Sequence, residues 1–127
     1  DTAEVKKLFQ NDLEGTIAKY AIIQNAKLYR EKIAIAVVDH TVGRIVAAQA
    51  ADELLNIIGI DTSFVLYPDG ERVIISARSM GDTNVQVILE KLGGGGNAAA
   101  AGGQISGKSL SQVATELSHA IDQYLEG

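Results

Sequence analysis

The residues with the most to say about chemistry lie between Leu92 and Gln104, which read LGGGGNAAAAGGQ. Six of the chain's 13 glycines fall in this stretch, and Asn97 is the functional side chain at its centre. Glycine costs a fold conformational entropy and returns no side-chain packing. Such a concentration fits a backbone that approaches a ligand closely, and backbone N–H groups presented this way suit a phosphate or a nucleotide.

Upstream, Ser76, Arg78 and Ser79 end a predicted strand. The next helix opens at Thr83–Asn84 and delivers the glycine stretch. A helix N-terminus offers unpaired N–H groups and a partial positive charge, and Arg78 can add a bidentate phosphate contact. Each feature also has a plainer reading: Arg78 as a solvated surface arginine, Asn84 as helix-start chemistry, and the Gly/Ala run as a flexible loop. The stretch matches neither the phosphate loop GxxxxGK[ST] nor a GxGxxG strand-to-helix turn, because a helix precedes it.

Other chemistries find little support. The chain has no cysteine, hence no thiolate nucleophile or thiolate metal ligand. His40 and His119 are far apart in sequence and read as a turn residue and a helix-face residue. Asp52 and Glu53 read as a solvated helix face. With no Ser-His-Asp set and no paired carboxylates, the residues describe a binding module, not a self-sufficient enzyme.

Positioning these residues requires an ordered run of elements. Apolar spacing predicts a helix over residues 2–24, with Val5, Phe9, Leu13 and Ile17 in register. A short edge strand is expected around Ala26–Tyr29, then a buried strand at Ile33–Val38 (IAIAVV). Gly43–Ile58 reads as a helix with Ala47, Ala50, Ala51, Leu54, Leu55 and Ile58 on one side, ended by Gly59. Thr62–Tyr67 and Arg72–Ser79 flank Pro68-Asp69-Gly70, a strong hairpin signal. Thr83 and Gln86 have capping-box spacing before the stripe Val85, Ile88, Leu89, Leu92, which Gly93 stops. Asn97 is expected to cap one alanine turn, Gln104–Ser106 to form a short strand, and Ser109 with Gln112 to box the last helix. The result is a single-domain α/β sandwich with a mixed sheet, ordered α-β-α-β-β-α-(Gly loop)-β-α.

A length of 127 residues suits one domain. The formal net charge of −5 weighs against a broad nucleic-acid footprint, which needs clustered Lys and Arg. No apolar run reaches the roughly 20 residues of a membrane helix, and no signal peptide is visible, so a cytoplasmic location is expected. The chain lacks an initiator Met and begins within a helical pattern, so it reads as a piece of something longer.

The segment SARSMGDTNVQVILEKLGGGGN followed by AAAAGGQI resembles the C-terminal DHH-associated domain of the DHH phosphoesterase superfamily. The hallmark of that domain is a GGGH motif followed by an alanine-rich turn. AAQAADELLNIIGIDTSFVLY, with ISARS and NVQ, narrows the resemblance to the bacterial cyclic-di-AMP phosphodiesterase branch. The resemblance covers nearly the whole chain, from about Ala3 onward.

It implies a DHH-associated nucleotide-binding domain over residues 1–127, with helix 2–24 as the link from an upstream DHH domain. The parent is then a metal-dependent phosphodiesterase that hydrolyses cyclic-di-AMP to pApA and is anchored to the bacterial membrane. Two metal ions, typically Mn²⁺, belong to the upstream domain. This domain holds the nucleotide, carries no cofactor and is inactive alone. Gly94, Gly95 and Gly96 match the backbone-contact positions, with Arg78, Ser79 and Asn84 as substrate contacts. Asn97 stands where the family has His, keeping a hydrogen-bonding group but losing the ring and its charge. Asn97→His is therefore expected to strengthen nucleotide binding.

The implied partners are a cyclic dinucleotide or short oligonucleotide, the upstream DHH domain and a second copy in a homodimer. No membrane contact by this segment is implied. The alternative is the oligonucleotide-gripping domain of a nanoRNase or single-strand exonuclease of the same superfamily. Acidic charge and the lack of a row of stacking aromatics weigh against long strands. A structural or oligomerising domain with a dead loop is the third reading.

Overall fold

The computed structural model describes residues 2–127, without the side chains of residues 8–11. The place expected for Phe9 on the first helix lies outside the described residues. The chain runs α1 (Thr2–Gln24), β1 (Ala26–Tyr29), β2 (Ile33–Val37), α2 (Arg44–Leu54), β3 (Thr62–Asp69) and β4 (Arg72–Ser79). It continues through α3 (Val85–Glu90), β5 (Gly95–Gly96), β6 (Ala100–Ser106) and α4 (Leu110–Glu126). The expected mixed α/β sandwich is the one observed.

Six strands form one sheet in the order β1-β2-β3-β4-β6-β5. Only β2 and β3 pair in parallel; the other neighbours are antiparallel. The parallel pair needs a crossover, which α2 supplies, whereas β3 and β4 join directly through the turn at Gly70, whose φ is 63°. From Thr62 to Tyr67 every residue of β3 is buried, as a central strand covered on both faces must be.

Two apolar layers result. On one face α1 and α2 bring Ile22, Ala47, Ala50, Ala51 and Leu54 against Ala34, Ala36, Val65, Tyr67 and Ile74. The small side chains of α2 let that helix lie close to the strands. On the other face α3 and α4 set Val85, Ile88, Leu89, Val113, Leu117 and Ile121 on Phe64, Leu66, Val73, Ile75 and Ile105. The expected stripe of α3 is present, and both bonds of the Ser109–Gln112 capping box form.

Four sequence expectations are corrected. The helix expected to reach Ile58 ends at Leu54, and Ile58 is fully exposed. Asn84, not Thr83, caps α3. The last strand begins at Ala100, four residues before Gln104, because pairing with β4 needs only backbone and Ala/Gly side chains give no pattern to read. Asn97 caps no helical turn: its Oδ1 accepts the N–H groups of Ala99 and Ala100 and closes the β5–β6 connection. In α1, Val5, Leu13, Ile17 and Tyr20 are exposed, and Ile22 enters the core.

Candidate functional site

Alternation along β4 sorts its side chains between the two faces of the sheet. Val73, Ile75 and Ala77 enter the layer beneath α3 and α4, so Ile74, Ser76 and Arg78 face the side that carries α2. There α2 packs on β3 and β4, and beyond it a cleft of about 550 Å³ opens over β4, β6 and β5. Ser76, Arg78 and Gln104 line it together with Gly93–Gly95 and Gly102–Gly103. Arg44, the first residue of α2, lines the cleft beside the apolar surfaces of Ala48, Tyr67 and Ile74.

The glycine wall is ordered by its neighbours. Gly94 N–H donates to Leu89 C=O at 2.8 Å, Ser79 N–H to Ala99 C=O at 2.9 Å and Val85 N–H to Ala98 C=O at 3.1 Å. A stretch stitched to a helix end, a strand end and a helix start in this way is a built wall, not a free loop. The glycines differ in why they are glycine. A Cβ on Gly94 would run into the carbonyl of Gly102, and one on Gly96, whose φ is 146°, into Ala100 and Ala101. Gly95 has neither restriction, since a Cβ there would meet nothing within 4 Å. The fold therefore requires two of these three glycines and leaves the bareness of Gly95, on the cleft, without a structural reason.

Arg78 is held at several points. Its Nε lies 3.1 Å from Oδ1 of Asp52 on α2. Its Nη1 donates to the Ala77 carbonyl at 2.8 Å and reaches the Ser76 hydroxyl at 3.5 Å. Nη2 makes no hydrogen bond among the described residues. Arg44 is exposed and has no ion pair among the described residues, so two cations share this cleft.

Of the residues singled out from the sequence, the structure brings Arg78, Gly94 and Gly95 together on the cleft. Gly96 and Asn97 form the turn behind that wall. Ser79 falls on the opposite face of β4, buried, with its hydroxyl accepting from Gly81 N–H. Asn84 is occupied with the start of α3. Its Oδ1 accepts from the N–H groups of Gln86 and Val87, and its own N–H donates to the Tyr124 hydroxyl. With Val85 N–H bound to Ala98 and Ile88 N–H to Asn84, the expected anion seat at this helix start is already filled.

Sequence reading missed Arg44 and Asp52. Arg44 belongs to no motif, and Asp52 reads from the sequence only as part of a solvated helix face; the packing of α2 on the sheet carries them to the cleft. His40 lies 3.0 Å from Asp39, whose carboxyl its hydrogen bond holds below the ordinary carboxylate range. Neither His40 nor His119 lines the cleft. Among the described residues no three His, Asp or Glu side chains gather as metal ligands. None of the described helices is long and apolar enough to cross a membrane.

Comparison with known proteins adds an independent line. The DHHA1 domain profile matches residues 30–127. The cyclic-di-AMP phosphodiesterase GdpP of Bacillus subtilis (strain 168) is 41% identical over 132 residues, which is 100% of this chain and 20% of that protein. The cyclic-di-AMP phosphodiesterase PdeA of Listeria monocytogenes is 37% identical over 130 residues, again 100% of this chain and 20% of the relative. The chain thus spans about a fifth of the length of these curated relatives. Among solved structures, an exopolyphosphatase-related protein from Bacteroides fragilis shares the fold, with a TM-score of 0.76 at 21% identity over 87% of this chain and 34% of that one.

Proposed function

This chain belongs to the DHHA1 domain family, and from that premise we propose that it is the nucleotide-phosphate-binding domain of a phosphodiesterase that opens cyclic-di-AMP to pApA. The observation that carries this reading is the cleft itself. Arg78 and Arg44 stand over a wall of main chain, and the bareness of Gly95 has no cause in the fold. Guanidinium groups and closely approachable backbone suit a phosphate, and Ala48, with the buried Tyr67 and Ile74 beneath, gives the cleft an apolar floor. Two relatives identical at 41% and 37% over the whole chain are cyclic-di-AMP phosphodiesterases, which supports the choice of nucleotide.

In this reading the chain binds and orients, and hydrolysis is carried out by an upstream DHH domain of the same protein. The Mn²⁺ ions implied by the resemblance are assigned in this reading to that upstream domain. Gly95 meets the phosphate through the backbone and Arg78 through Nη2, while Gly94, whose N–H is taken by the Leu89 carbonyl, shapes the wall beside them. Gly96 and Asn97 hold the turn behind them, while Ser79 and Asn84 brace the strand end and α3. Membrane anchoring and dimerisation are properties of the longer protein in this account.

Titration of the chain with cyclic-di-AMP, followed by amide NMR, tests the reading. Shifts are expected at Arg78, Gly93–Gly95 and Gly102–Gly103. Shifts confined to the outer surface of α4 sink it.

A further inference from the structure

The ion pair between Asp52 and Arg78 is hard to explain as a stabilising contact. Asp52 sits in the last turn of α2, where the negative end of the helix dipole disfavours a carboxylate. No basic residue in that turn offsets it. Its counter-charge comes from β4 instead, with Nε of Arg78 at 3.1 Å. The Asp52 side chain is 63% exposed, and an ion pair so exposed adds little to folding stability.

Its effect falls on where the guanidinium sits. A free arginine samples many rotamers and gives up that freedom on binding a ligand. Here the Nε side of the fork faces Asp52, and Nη1 is committed to Ala77 and Ser76. Nη2 makes no hydrogen bond among the described residues. The side chain is only 22% exposed, so it is already packed in place.

We propose that Asp52 is the positioning residue of the cleft: it holds Arg78 with Nη2 available to a ligand phosphate. This rests on the anion-binding reading of the cleft given above. It also fixes the sign of an effect that simple electrostatics would reverse. Removing a negative charge beside an anion site strengthens binding when the summed field decides the affinity. When the orientation of Arg78 decides it, the same removal weakens binding.

Calorimetric titration of the chain with cyclic-di-AMP distinguishes the two, using the unmodified chain, Asp52→Asn, Asp52→Glu and Arg78→Ala. Asp52→Asn is expected to weaken binding about 3- to 10-fold, the range set by freeing one rotamer-rich side chain. Asp52→Glu keeps the charge and recovers most of that loss. Melting temperatures of both variants stay at the unmodified value, and ¹⁵N relaxation at the Arg78 Nε reports greater mobility in Asp52→Asn alone. Should Asp52→Asn bind as tightly as the unmodified chain or more tightly, while Arg78→Ala loses binding, the positioning role is wrong and the cleft assignment stands. Should Arg78→Ala bind like the unmodified chain, the cleft assignment itself fails and takes this inference with it.

Discussion

Gly94 and the carbonyl of Gly102 lie so close that no side-chain carbon fits between them. Next door, Gly95 pairs with the same Gly102 and has open space where its Cβ would be. On the proposed reading, two adjacent glycines separate a requirement of folding from one of binding. Gly94→Ala is expected to cost about 1–3 kcal/mol, the usual penalty for forcing atoms into a packed site. Gly95→Ala is expected to keep the unmodified urea midpoint but to weaken cyclic-di-AMP binding. Urea unfolding and calorimetric titration of both variants check this, and equal destabilisation of the two counts against it.

The Tyr29 hydroxyl donates to Asp122 at 2.7 Å and ties β1 to α4 across 93 residues of sequence. That hydrogen bond is the main cause that holds the Asp122 carboxyl below its ordinary range; the nearby Arg30 adds to it. A carboxylate depressed in the folded state stabilises the fold above its unfolded pKa, about 3.9 for Asp. The contribution is lost as pH falls through the lower, folded value. Tyr29 is shifted upward, chiefly by the same bond. Its contribution is complete below the ordinary tyrosine pKa of about 10 and is lost as pH rises through the raised value. Urea midpoints measured against pH should therefore decline at both extremes. Asp122→Asn should flatten the acid limb and Tyr29→Phe the alkaline one.

The elements were readable wherever side chains carried the signal. IAIAVV gave a buried strand, Pro68-Asp69-Gly70 a hairpin, and Ser109 with Gln112 a boxed helix, since each rests on chemistry local in sequence. Ala100–Gly103 could not be read as strand, because backbone pairing with β4 leaves no trace in residues without side chains. The glycine wall and Arg78 were visible as candidates. Arg44 and Asp52 were not, because a 26-residue step from Asp52 to Arg78 is closed only by tertiary packing. Ser79, one step along the strand from Arg78, lies by the same alternation on the opposite face, buried.

Leu117 is fully buried in the layer beneath α3 and α4. Leu117→Ala is expected to cost about 2–5 kcal/mol, the cost of lost transfer energy plus a cavity. Leu28, 64% exposed on β1, provides the contrast, and Leu28→Ala should stay within about 0.5 kcal/mol of the unmodified chain. Denaturant unfolding of both variants measures the difference.

Asn97 spends its side-chain oxygen on the Ala99 and Ala100 N–H groups, at 3.0 and 2.9 Å. Asn97→Ala removes both bonds and is expected to cost about 1 kcal/mol. Amide exchange should quicken at Ala99 and Ala100 before it does in α4. Unchanged exchange there would argue that the turn holds its shape without the side chain.

A wall made of glycine also shapes how the domain responds to mutation. Glycine has no side chain to delete, so a substitution at Gly95 adds atoms to the open space a ligand would occupy, whereas one at Gly94 meets the Gly102 carbonyl. At Arg78 and Arg44 the change runs the other way, because most substitutions shorten the side chain or remove its charge. Loss of binding by obstruction and loss by removal thus map to different parts of one cleft. Smaller ligands should tolerate the first kind of lesion and gain nothing against the second.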